Sequence, residues 1–134
     1  MSIVVGQSTW QLRPGRIIDG GTLICKSGGN LWIVAPSSSE VTRVGLVAGD
    51  AVTQATNVTG KTGWFLPSLA QLQNPGYVCR DNWDSYNANY YWSSTGGFAD
   101  SRCALNFANG VGCAFNQCRA DFNFFGRAFK LLTY

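Results

Sequence analysis

Apolar residues along this chain come in short runs broken by glycine and polar turns, a rhythm of strands more than of long helices. The clearest element is a hairpin. Residues 21–26 and 30–35 are β-formers flanking the turn cluster Ser27-Gly28-Gly29, and Pro36, which lacks an N–H, ends the return strand. In residues 102–108 apolar and polar positions alternate, so Cys103, Leu105 and Phe107 are expected to face the core and Arg102 and Asn106 to face outward. Asn109-Gly110 then reads as a hairpin turn. Residues 122–132 are apolar on both faces apart from Arg127 and Lys130, which predicts one strand lying centrally in a sheet.

The remaining segments are weaker. Residues 1–16 read as an extended arm or first strand ending at the Arg13-Pro14-Gly15 turn. Ser37-Ser38-Ser39-Glu40 offers a helix start, and residues 40–56 are expected to hold one or two helical turns, interrupted by Gly45 and Gly49. Residues 57–63 read as a loop. Pro67 is placed in the first turn of a helix over 68–73, with Leu69 and Leu72 on its buried face and Pro75-Gly76 ending it. Residues 77–90 form an irregular polar and aromatic stretch. With no internal repeat and no linker, the expected organisation is an arm over 1–16 and a single domain over 17–134.

Composition agrees with this β-rich, loop-rich picture. Of 134 residues, 46% are apolar and only 13% charged, so the surface must be built from Ser, Thr, Asn, Gln and the sixteen Gly rather than from the Glu, Lys and Ala of a bundle. The expected class is α+β, mainly short antiparallel strands with one or two short helices. The net charge of +3 comes from seven scattered Arg and three Lys, with no basic run, so nucleic acid is not an expected partner. Acidic glycans remain compatible, since spaced Arg side chains meet carboxylates bidentately.

Zero His removes Ser-His and Cys-His nucleophile activation and most zinc and copper sites, so no catalytic residue, metal or cofactor is expected. The five Cys, at 25, 79, 103, 113 and 118, are an odd number without paired C-x-x-C spacing. They are expected to be reduced thiols acting as small apolar side chains, with one disulfide among the last three as the alternative. Residues 1–7 show none of the features of a signal peptide, and no run approaches the roughly 18 apolar residues of a spanning helix, so membrane insertion is not expected.

Four short phrases keep their order through the second half: Trp64-Phe65-Leu66-Pro67-Ser68, Tyr91-Trp92-Ser93-Ser94-Thr95, Asn106-Phe107-Ala108-Asn109-Gly110, and Gly126-Arg127-Ala128-Phe129. In this order they resemble the Lcl C-terminal domain family, that of the C-terminal domain of a bacterial collagen-like adhesin. The Gly20-Gly21 hairpin ending in Ala35-Pro36-Ser37 extends the likeness over about residues 17 to 132. The resemblance implies a compact C-type-lectin-like domain that displays loops and performs no chemistry. The helices are shorter than such a fold normally has, and the calcium-lectin signatures are missing. Asn82-Trp83-Asp84 has the right residue types in the wrong order, so calcium is not expected.

Trp64 and Trp92 are expected to plug the core, and Ser93, Ser94 and Thr95 to satisfy backbone groups at a strand end. Binding is expected where the scaffold leaves residues free. One group is Trp83, Asp84, Tyr86, Asn87 and Asn89, aromatic rings beside amides as a sugar ring requires. The other is Asn116, Gln117, Arg119, Asp121 and Asn123, on the part that forms the ligand face in lectin-like folds. The functional expectation is a bacteriophage virion protein made in the host cytoplasm, either capsid or tail decoration or host-receptor binding. Its expected partners are other virion proteins, further copies of itself as a homo-oligomer, and a host cell-surface glycan; the 1–16 arm would dock by strand addition. The alternative is a bacterial surface or secreted adhesin domain that binds glycans.

Overall fold

Gly28 and Gly29 take φ of +57° and +83°, the left-handed pair that lets two strands fold back with the native twist. A computed structural model describes residues 12–44, 50–96, 102–112 and 123–133. The glycine pair joins β2 (Gly21–Ser27) to β3 (Asn30–Val34), as the sequence predicts. β1 (Ile17–Ile18) flanks β2, and β8 (Phe129–Thr133) flanks β3, giving a first sheet of order β1-β2-β3-β8, antiparallel throughout.

Alternation along these strands sends side chains to two separate cores. Leu23, Leu31, Ile33 and Leu132 face one way, where Ala55 of the helix α1 (Asp50–Thr59) and Trp64 cover them. Ile24, Val34 and Phe129 face the other way, into an aromatic cluster with Trp83, Tyr91 and Phe107. Phe107 lies 4.7 to 5.7 Å, centroid to centroid, from the rings of Tyr77, Trp83, Tyr86 and Tyr91. Beyond this cluster is a second sheet of order β4-β7-β5-β6, built from β4 (Val41–Val44), β5 (Tyr90–Gly96), β6 (Arg102–Asn106) and β7 (Asn123–Gly126). Among the described residues only the β5–β7 pairing is parallel. The chain is therefore mixed α+β, mostly antiparallel strands in two sheets with two short helices.

The four phrases meet in space. Phe65 and Phe129 exchange two backbone hydrogen bonds of 2.8 Å, so the first phrase pairs with the last. Ser94 N donates to Pro67 O at 2.8 Å and Leu69 N to Thr95 Oγ1 at 2.9 Å, tying the first to the second. Ser93 Oγ donates to Cys103 O, and Trp64 and Trp92 are buried, so these residues play the structural parts expected of them.

Several expectations need correction. The described part of the 122–132 run is two strands in two sheets, split at Arg127-Ala128: β7 lies between β4 and β5, as a central strand, whereas β8 is an outer strand beside β3, with Leu131 40% exposed. Residues 41–44 are a strand, not helix, and α1 runs ten residues to Thr59, into the expected loop; Gly60, at φ +70°, caps it with its N–H on Thr56 O. Ser68, not Pro67, begins α2 (Leu69–Gln71). Its hydroxyl accepts from Gln71 N while the Gln71 side chain accepts from Ser68 N, a full capping box. The chain then continues in wider turns to Tyr77 through Pro75, beyond the expected stop.

Cys103, Leu105 and Phe107 are buried as expected, but so is Ala104, against Trp92, so β6 is covered on both faces. The side chain of Arg102 lies outside the described residues. The boundary at residue 16 also moves. Leu12 is buried in the helix-side core, and Gly15 N and Arg16 O bond to Leu23, so residues 12–16 belong to the domain; residues 1–11 lie outside the described ones.

Candidate functional site

The chain between Trp83 and Tyr91 forms a loop over the end of the aromatic core, and its shape follows from one buried cation. Arg127 sits at the crossing between sheets with its side chain 1% exposed. An unpaired guanidinium there would be costly, and three groups from distant parts of the chain answer it. Nε donates to Ala35 O at 2.7 Å, Nη1 to Glu40 Oε1 at 2.9 Å, and Nη2 to Asp84 Oδ1. The guanidinium carbon also lies 5.2 Å from the Trp83 ring centroid.

Both carboxylates carry the clamp outward into the loops. Asp84 also accepts from Ser37 N at 2.8 Å and from Ser85 N at 2.9 Å. Glu40 accepts from the Tyr91 hydroxyl and from Asn87 Nδ2, and the same hydroxyl accepts from Asn87 N at 2.8 Å. Burial first, and then the bond to Glu40, push the Tyr91 phenol well above the ordinary tyrosine range, so it stays a neutral hydrogen-bonding group.

This geometry redistributes the residues singled out by sequence. Trp83 is a core residue, not an exposed platform. It is 6% exposed, its indole donates to Gly76 O at 3.1 Å, and Tyr86, Tyr91, Phe107 and Phe129 surround its ring. The reason is apolar area: an indole beside so many rings gains more by completing their packing than by facing water. Tyr86 is half-buried against Trp83 and Phe107. Asp84 and Asn87 are exposed in part but turn their polar groups to the clamp.

Asn89 is exposed, with Oδ1 accepting from Tyr90 N at 2.7 Å and its main-chain carbonyl holding Phe107 N. Asn123 is exposed at the start of β7. The parallel register Tyr91↔Phe125 sets it at the same end of the sheet as Asn89. Asn116, Gln117, Arg119 and Asp121 lie outside the described residues. The structure thus gathers Asp84, Asn87 and Asn89 on one loop, with Ser85 and Ala88 also exposed on it.

Glu40 and Arg127, which hold the loop, were missing from the sequence-based set. A charged residue inside an otherwise apolar segment was the available signal for Arg127, because such a charge must find partners. Glu40, in a serine-rich stretch, carried no such mark.

Among the described residues no group of three or more His, Cys, Asp or Glu is placed to hold a metal ion, and no helix is long and apolar enough to cross a membrane. Cys103 is a buried free thiol, as expected, whereas the free thiols Cys25 and Cys79 are only half-buried; Cys113 and Cys118 lie outside the described residues. Burial, and then the neighbouring Cys25, raise the Cys79 thiol above its usual range, which keeps it protonated at neutral pH. No protein-family model matches this chain, and no curated protein matches it. The likeness to the Lcl C-terminal domain family therefore stands on the four phrases and their order.

Proposed function

We propose that this chain is a non-enzymatic display protein of a bacteriophage particle, a C-type-lectin-like scaffold whose loops hold another surface. The observation that carries this reading is the Arg127 clamp. It fixes the base of the 84–91 loop through Glu40 and Asp84 and leaves Ser85, Ala88 and Asn89 exposed on it. A loop fixed from below loses little conformational entropy when it docks, so hydroxyl, amide and main-chain groups bind by shape and hydrogen bonding. The surface it meets is a host glycan or a neighbouring shell protein; both are recognised by such polar groups beside half-buried aromatics. The particle setting is carried over from the sequence reading.

The test is direct. Particles purified on a density gradient are probed with antibody against this chain and imaged by immunogold labelling. Many labelled positions per particle are expected. Label on a bacterial envelope, with none on particles, would overturn the reading in favour of a surface adhesin.

A further inference from the structure

β2 carries an irregularity that changes where one of its side chains points. Its pairing with β3 runs Leu23↔Ile33 and then Cys25↔Trp32, so Ile24 is an extra residue, a β-bulge. Strict alternation would send Cys25 to the helix side of the sheet with Leu23. The bulge instead turns Cys25 to the face that Ile24 and Trp32 share, against the aromatic core.

On that face it meets a second thiol. Cys79 lies 54 residues further along the chain, packs against the same aromatic cluster, and its thiol hydrogen-bonds with that of Cys25. The backbone holds Cys79 from both sides. Its N–H donates to Pro75 O at 2.9 Å, and its carbonyl accepts from Asn82 N at 3.0 Å. The Asn82 side chain reaches back to β2, where Nδ2 donates to Ile24 O at 3.0 Å. The residue before Cys25 and the turn after Cys79 are therefore already tied together. Both thiols are free and half-buried, within reach of a small solute.

We propose that Cys25 and Cys79 are a disulfide-forming pair, oxidised by exchange with a low-molecular-weight disulfide of the glutathione class. One cysteine thiolate attacks a sulfur of the oxidant, forming a mixed disulfide and releasing one glutathione thiolate. The other cysteine, as thiolate, attacks the protein sulfur of that mixed disulfide and releases the second glutathione. Two S–H bonds are lost, one S–S bond forms between residues 25 and 79, and the oxidant is reduced to two thiols that take up the two protons. The bond closes the chain over 25–79, so it restricts the unfolded state more than the folded one. It also fastens the segment entering the 84–91 loop to the first sheet, whatever that loop binds. Burial, and then the Cys25 thiol, hold the Cys79 proton above the usual range, so exchange quickens as pH rises.

Tryptic mapping tests this directly. Cleavage after Arg16 and Lys26 isolates Cys25 on peptide 17–26, and cleavage after Lys61 and Arg80 isolates Cys79 on peptide 62–80. The other three cysteines share peptide 103–119. The folded full chain is incubated with glutathione disulfide, alkylated and digested without reduction. Peptides 17–26 and 62–80 should appear joined, and dithiothreitol should separate them. Oxidation should raise the melting temperature by about 10 °C, and that rise should be lost in Cys79→Ser. The proposal is overturned if residues 25 and 79 stay unlinked or each keeps a glutathione, if either joins peptide 103–119 instead, or if the joined peptides form only in urea. A Cys79→Ser variant that gains as much stability on oxidation as the parent would overturn it too.

Discussion

Arg127 and Lys130 stand three residues apart, and the chain uses nearly the same device at each, with opposite results. Both are buried cations beside a tryptophan ring, and both pair with a carboxylate from a distant loop. One projects at the junction of the sheets and the other on the helix side of β8. Arg127 presents a planar fork of five donors, and two carboxylates and a carbonyl from three separate segments take three of them, so the site works as a clamp. Lys130 is a point charge met by a single carboxylate, that of Asp19. Whether a buried ion pair ties remote parts of the chain together depends on how many separate segments supply its partners.

The largest test asks whether the clamp rests on a packed core. Leu105 is fully buried on β6 and contributes to the aromatic cluster, so Leu105→Asp places an unpaired charge there and should unfold the domain. Asn106→Ala, one residue on, should leave a folded chain, because Asn106 is only half-buried and its side chain serves a local turn to Ala108 N. Circular dichroism of both variants decides the point. Equal tolerance would mean that the β6 register is wrong.

The next test separates the two cations. Arg127→Met strands Glu40, whose side chain is 12% exposed, and should lower unfolding stability by about 3–5 kcal/mol. Lys130→Met loses the ammonium over the Trp64 ring but leaves Asp19, whose side chain is 29% exposed, able to rehydrate, so a smaller loss of about 1 kcal/mol is expected. Urea midpoints with unchanged slopes measure both, and equal losses would remove the contrast.

The smallest effect concerns pH. Folding holds the Tyr91 proton above the ordinary value of 10.0, so the unfolded chain releases it first. Its contribution is fully present below that pH and is lost as pH rises toward the raised value. Cys79, raised from 9.0, adds a loss of the same sign. Tyr91→Phe should therefore flatten the decline of the urea midpoint between about pH 10 and 11.5. An unchanged decline would place the alkaline sensitivity elsewhere and leave the Tyr91–Glu40 arm of the clamp without a titrating signature.

Local signals were legible wherever neighbours in the chain decide the outcome. The Gly28-Gly29 turn, the burial of Cys103, Leu105 and Phe107, and the backbone-satisfying Ser93 and Thr95 were all readable. Trp83 was misplaced because an indole among Asp and Asn looks exposed until four rings from other segments enclose it. The 122–132 run was read as one central strand because continuous apolarity does not show which sheet a segment joins or whether it lies at that sheet's edge. The clamp was invisible for the same reason, since Glu40, Asp84 and Arg127 lie 43 to 87 residues apart.

By itself, the sequence determined the β-rich class, the first hairpin and the apolar phrases that form the two cores, because turn chemistry and side-chain alternation act over a few residues. The tertiary structure decided how many remote segments meet each buried charge. Burial makes an ion pair necessary, but only the packing of remote segments fixes how many partners reach each cation. Arg127 is met from three directions, whereas Lys130 is met from one.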